Sequence, residues 1–159
     1  MASDLAKGFE QKFREDWLKL PDSTIDRLYD PMGGYGGITN VSDFIGYRFP
    51  YICYMETKTK KGNTFPFTNL TQYDKLIKKI GIKGVIAGVV IWFYEKDTVV
   101  FVPIEVCKQM KENGEKSINC DKILKNSYEP HYEITIIPSE KIRVYMNSDY
   151  SVLFEGIAN

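Results

Sequence analysis

An eleven-residue apolar run, GVIAGVVIWFY from Gly84 to Tyr94, constrains this chain more than any other stretch. A bilayer span needs roughly 20 such residues, so the run is too short for one and reads as a buried strand. The chain's 159 residues, 43% of them hydrophobic, are enough for one compact domain over 1–159 with a substantial core around that strand. Formal charge is zero, so any nucleic-acid surface has to be local. Three cysteines, Cys53, Cys107 and Cys120, form no CxxC. They argue against a disulfide framework and a thiolate zinc site, and favour a reducing cytoplasm. His131 is the single histidine, which excludes catalysis resting on several imidazoles. The first residues lack a cationic segment followed by an apolar one, so no signal peptide and no membrane partner are expected.

Leu5, Phe9, Phe13, Trp17 and Leu20 form one stripe of an amphipathic helix that Pro21 ends. Glu10 flanks that stripe, where it can look past the helix edge toward a sheet. TIDRLY then predicts a short strand. Next, DPMGGYGG begins an interval, about 30–39, with four glycines between Gly33 and Gly37, expected to be a mobile loop. Two strands are expected between Val41 and Lys58, joined near Phe49-Pro50. The loop KKGNTFPFTN leads to a second helix burying Leu70, Tyr73, Ile77 and Ile80. Strands follow at Val85–Tyr94 and Thr98–Pro103, then a short helix, the loop ENGEKS and a last strand, Tyr132–Pro138. The tail from Ile142 to Phe154 is amphipathic but ambiguous. This order predicts an α/β fold, a mixed central sheet flanked by helices.

The stretch YMETKTKKG places Glu56 at the end of an apolar run, with Lys58 two residues on and therefore on the same face of a strand. If the turn centres between Phe49 and Pro50, Asp43 stands directly across from Glu56, with Cβ atoms about 5 Å apart. Like charges so opposed are costly unless a cation bridges them. Two carboxylates beside an ammonium suit a hard divalent ion such as Mg2+. A bulge or a one-residue slip would turn Asp43 to the other face. Such a set also answers the needs of phosphodiester hydrolysis: a Lewis acid, an activated water, and a fixed cation where negative charge accumulates.

Asp43, then Glu56-Thr57-Lys58, with Glu10 on a preceding helix and Gln72 on a following one, resembles the PD-(D/E)xK nuclease superfamily. More narrowly, the chain resembles the RecU-type Holliday junction resolvases, in a short, phage-like form. The matching words are KGFE (Lys7–Glu10), VSDFIGY (Val41–Tyr47), METK (Met55–Lys58), NTFPFTNL (Asn63–Leu70) and Gln72. The resemblance implies a restriction-endonuclease-like core and a metal-dependent endonuclease cutting branched DNA, acting as a homodimer in the cytoplasm (the host's, if phage-encoded). It implies that Asp43 and Glu56 hold Mg2+, for which Mn2+ can substitute, and that no nucleotide cofactor is used. Gln72 would complete the site and Ser42 would supply a further ligand. Lys58 would orient the attacking water or stabilise transition-state charge, and Glu10 would support the metal through a water or by positioning.

Plainer readings stand beside these. Glu56 and Lys58 alone fit a solvated strand end, and Glu10 an exposed helical acid. Gln72 lies where a capping-box partner of Asn69 would sit. Ser42, adjacent to Asp43 in a strand, points its side chain to the opposite face, leaving its carbonyl as the readier ligand. Seven lysines (58, 60, 61, 75, 78, 79, 83) against Glu56 and Asp74 give this region a net +5. Lys60 and Lys61 are the expected DNA contacts; Lys75, Lys78 and Lys79 also fit a solvated helix face. In longer family members the interval corresponding to 30–39 carries a projecting stalk. Here it is either a plain connector or a loop that orders on DNA, with Tyr35 stacking on a base. A nuclease of the same superfamily acting on duplex or flap DNA, and a catalytically inactive DNA-binding module, are the alternatives.

Overall fold

The structure is a computed structural model that describes residues 2–29 and 40–155. The glycine-rich interval at 30–39, with Tyr35, lies outside the described residues. Helix α1 (Ala2–Trp17) leads to β1 (Ser23–Arg27), β2 (Phe44–Arg48), β3 (Tyr51–Lys60) and the short β4 (Thr64–Pro66). A single α-helical turn, α2 (Tyr73–Leu76), precedes β5 (Val85–Phe93) and β6 (Thr98–Pro103). The remainder is α3 (Ile104–Glu112), β7 (Ser117–Asn119), α4 (Cys120–Leu124), β8 (Thr135–Ile137), β9 (Ser139–Ile142) and β10 (Tyr145–Ser148). A 3-10 turn, Tyr150–Phe154, closes the described chain.

Among the described residues six strands form the main sheet in the order β1-β2-β3-β5-β6-β8. β3 and β5 run parallel while the other neighbours are antiparallel, so the sheet is mixed, as expected. The apolar run at Val85 is β5, one of its interior strands, and alternation sends its side chains into two different cores. Val90 and Trp92 meet Phe9, Phe13 and Trp17 of α1, together with Phe44, Cys53 and Met55. Val89, Ile91 and Phe93 meet Leu76 and, from α3, Ile104, Cys107 and Met110. Both faces are thus covered, which explains why the run has no polar alternation.

The α1 stripe packs through aromatic rings. Phe13 lies 5.1 Å from Phe44 and 4.9 Å from Tyr150, ring centre to ring centre. Two glycines allow this closeness. A Cβ on Gly46 would stand 2.9 Å from the Trp17 ring, and one on Gly8, in the KGFE word, would run into Tyr145. The tail that sequence left ambiguous, Ile142–Phe154, holds β10, which pairs with β9 just before it, and the final 3-10 turn, and it packs on α1. Asp16, 2% exposed, accepts the Ser148 N–H at 2.9 Å and pairs with Lys19 at 2.9 Å, tying hairpin to helix.

The second helix departs from its expected shape. The chain makes a 3-10 turn at Phe67–Asn69, then α2, then another 3-10 turn at Ile77–Lys79. Leu70, with φ −90° and ψ 84°, interrupts the helical path. Leu70 and Leu76 are buried, whereas Tyr73, Ile77 and Ile80 are only partly so. The loop KKGNTFPFTN also contains β4, which pairs with β7. Local periodicity could not reveal that pairing, because β7 lies more than fifty residues away.

Candidate active site

β2 and β3 pair in the register expected from the turn, Phe44 opposite Met55 and Arg48 opposite Tyr51. Extending it by one residue sets Asp43 across from Glu56. Phe44 and Met55 face α1, so alternation turns Asp43, Glu56 and Lys58 toward the α2–α3 side. Regular pairing stops at Phe44, which leaves the Thr57 N–H of β3 without a strand partner. The Asp43 carboxylate takes that place: Oδ2 accepts the Thr57 N–H at 2.9 Å. One oxygen therefore fixes Asp43 to the body of β3, and the other is the one it can offer a ligand.

Glu56 is fully buried, at 0% exposure, so it is no solvated strand end. Its Oε1 receives the Lys58 ammonium at 3.1 Å and the Thr71 hydroxyl at 3.4 Å. The Gln72 amide closes the other side. With its NH2 turned to Glu56, it donates at 2.5 Å to Oε1 and at 2.9 Å to Oε2. Asn69 is not an N-cap, and Gln72 occupies the N-cap position of α2 with no side-chain capping bond. The capping-box reading is thereby replaced by an amide directed at the buried acid. Burial is the foremost cause that raises the Glu56 pKa, with Asp43 adding to it and Lys58 opposing. A buried carboxylate of this kind holds its charge only through cationic or hydrogen-bonding neighbours.

The residues fit a hard divalent cation. Gln72 touches both Glu56 oxygens, and turning its amide over would present a carbonyl oxygen beside two carboxylate oxygens, an all-oxygen set with Asp43 adjacent. Glu56, Asp43 and Gln72 are the side chains that could hold such an ion. Among the described residues, no group of three or more His, Cys, Asp or Glu side chains stands together. Glu10 does not join the Glu56 cluster. It lies on α1, where Arg27 grips it twice, Nε at 3.1 Å and Nη2 at 3.2 Å. Arg27 Nη1 also donates to the Asp43 carbonyl at 3.2 Å, so Glu10 reaches Asp43 through the guanidinium. Burial tends to lower the Arg27 pKa, but Glu10 outweighs it and the value is raised. The Ser42 hydroxyl is buried and donates to the Phe44 carbonyl at 2.7 Å. Lys60 leaves β3 on the Lys58 side, and Lys61 is exposed in the following turn. Thr71 and Arg27 escaped sequence reading. Thr71 adjoins Gln72, a usable hint, but nothing in the chain links Arg27 to an acid seventeen residues earlier.

The Recombination protein U family model matches residues 34–142, well over half of the chain. The chain belongs to the Recombination protein U (RecU) family. The matched span carries Asp43, Glu56, Lys58 and Gln72, whereas Glu10 and Arg27 precede it. The mixed sheet flanked by helices is the α/β make-up that the sequence predicted. No curated protein matches the sequence. Among solved structures, Hjc, a Holliday junction resolvase from the archaeal hyperthermophile Archaeoglobus fulgidus, is similar at 15% identity. That match covers 63% of this chain and 78% of Hjc, with a TM-score of 0.49.

Proposed function

We propose that this RecU-family chain is a Holliday junction-resolving nuclease that depends on Mg2+, with Glu56, Asp43 and Gln72 as the residues that would hold the ion. One observation carries the reading: a fully buried glutamate in the interior of β3, ringed by Lys58, Thr71 and Gln72, stands beside a second carboxylate. When bound, the divalent ion supplies Lewis acidity at the phosphoryl oxygen and an activated water. Asp43, anchored by one oxygen to β3, presents the other on a rigid element. Lys58 is 28% exposed, so its ammonium reaches from Glu56 to the surface, where it can meet a phosphate oxygen. A fixed cation there stabilises the negative charge that accumulates during displacement. Thr71 and Gln72 orient the Glu56 carboxylate, and Arg27 with Glu10 holds the Asp43 backbone. Lys60 and Lys61 extend the positive surface along the strand for phosphate contacts that position DNA without reading sequence.

Symmetric cutting of a four-way junction takes two such sites, so a homodimer on branched DNA belongs to the same reading, as does a cytoplasmic setting. No described helix is long and apolar enough to cross a membrane. The decisive experiment incubates purified protein and Glu56→Gln with a four-way junction and Mg2+. The wild type cuts and Glu56→Gln binds without cutting. Substantial residual cleavage by Glu56→Gln would remove Glu56 from the metal site. Equal cleavage of linear duplex would point to a less selective nuclease, and binding without cleavage by the wild type to an inactive binding module.

A further inference from the structure

Beyond the Glu56 cluster, on the α1 side of the strand ends, lies a cleft of about 500 Å3 lined by Lys7, Glu10, Arg14, Arg27, Tyr29 and Phe44. Lys7 and Arg14 stand two helical turns apart on α1, so both project on one side of it. With Arg27 they set three cations against the single carboxylate of Glu10, a local net of +2. Arg27 is committed to Glu10, which leaves Lys7 and Arg14 as the charges directed outward. Tyr29 is 77% exposed, with the Arg27 guanidinium 5.1 Å from its ring centre. At the cleft's inner end Phe44 adjoins Asp43, and Arg27 touches the Asp43 carbonyl. The cleft therefore lies on the other face of the sheet from the acid cluster and is joined to it through the Asp43 backbone, and all its charged residues precede the family-matched span.

We propose that this cleft receives an unpaired stretch of the DNA strand flanking the cut, Lys7 and Arg14 binding its phosphates and Tyr29 stacking on a base. The inference rests on the nuclease reading above. The volume suits a ligand of nucleotide size. A tyrosine ring so exposed beside cations is the pairing that single strands use, since every base offers a face and every linkage a charge. Paired bases keep their faces inside the stack, so the occupant is an unpaired segment such as a branch point exposes.

The test uses the full chain and a labelled four-way junction with two unpaired nucleotides at the branch, titrated in chelator so that binding is read without cleavage. Lys7→Ala with Arg14→Ala, both at exposed helix positions, reduces the slope of log affinity against log salt by about 1.4 and weakens binding about 10- to 100-fold at moderate salt. With Mg2+ the loss falls on KM. Tyr29→Ala weakens binding about 10-fold, and Tyr29→Phe, which keeps the ring, restores it. If the wild type binds and cuts junctions while the double variant keeps its affinity and salt slope, the cleft proposal falls and the nuclease reading stands. If Tyr29→Phe is as weak as Tyr29→Ala, stacking is wrong. A wild type that neither binds nor cuts branched DNA overturns both.

Discussion

Two acid–cation pairs flank Asp43, and they differ in burial and in the cation. Glu56 meets Lys58 at 3.1 Å, and Glu10 meets Arg27 at 3.1 and 3.2 Å, so the distances are alike. Glu56 is wholly buried whereas the Glu10 side chain is 30% exposed. Burial makes the charge on Glu56 conditional on its neighbours, and lysine is a mobile point charge that leaves room for another cation. Arginine's planar fork instead saturates both Glu10 oxygens. On the proposed reading the first pair takes a ligand and the second acts as a strut. Asp43 belongs to both, its carboxylate on the side of Glu56 and its carbonyl held by Arg27.

The contrast breaks if the two acids behave alike. Glu56→Gln should end junction cleavage, while Glu10→Gln should slow it by about 10- to 100-fold, as loss of a supporting partner does; equal losses in a cleavage assay would make Glu10 a ligand. Lys58→Ala should lower single-turnover cleavage by about 10²- to 10³-fold with binding retained. A loss confined to binding would place Lys58 with the positioning lysines. Arg27→Lys keeps the charge but loses the fork, so it should lose most of what Arg27→Ala loses, about 10-fold in cleavage. Full activity in Arg27→Lys would mean that charge alone matters there. Lys60→Ala with Lys61→Ala should flatten the salt dependence of binding by about 2 in slope. An unchanged slope returns both lysines to a solvated surface.

The smallest effect sharpens the electrostatics. Burial holds the Glu56 pKa above its ordinary 4.5, so as pH rises the unfolded chain ionises this residue first. Metal-free protein should therefore lose stability as pH climbs from about 4.5 through the raised folded value, with no loss from this group below that window. Thermal unfolding of wild type and Glu56→Gln in chelator measures it. The variant should lack this component, and parallel curves would mean that Glu56 feels no burial in the folded state.

Much of the site could be read along the chain because it is local. Glu56 and Lys58 share a face through the strand period, and a hairpin turn at Phe49-Pro50 fixes where Asp43 falls. Gln72 was legible as a residue but not as a direction, since a capping partner and an inward amide look the same in sequence. Its direction follows from Leu70, which breaks the helix before a cap at Asn69 can form. The same break left Leu76 buried, where periodicity expected Ile77.

The sequence alone determined the alternation and turn chemistry that make the hairpin, the buried strand at Val85 and the α1 stripe. These depend on residues a few positions apart, where backbone geometry permits few arrangements. Only the tertiary structure decided that Glu56 loses all contact with water, that Arg27 finds Glu10 and the Asp43 carbonyl, and that the tail anchors on Asp16. Those outcomes depend on which faces the sheet brings together, and partners seventeen or more than a hundred residues apart leave no periodic mark in the chain.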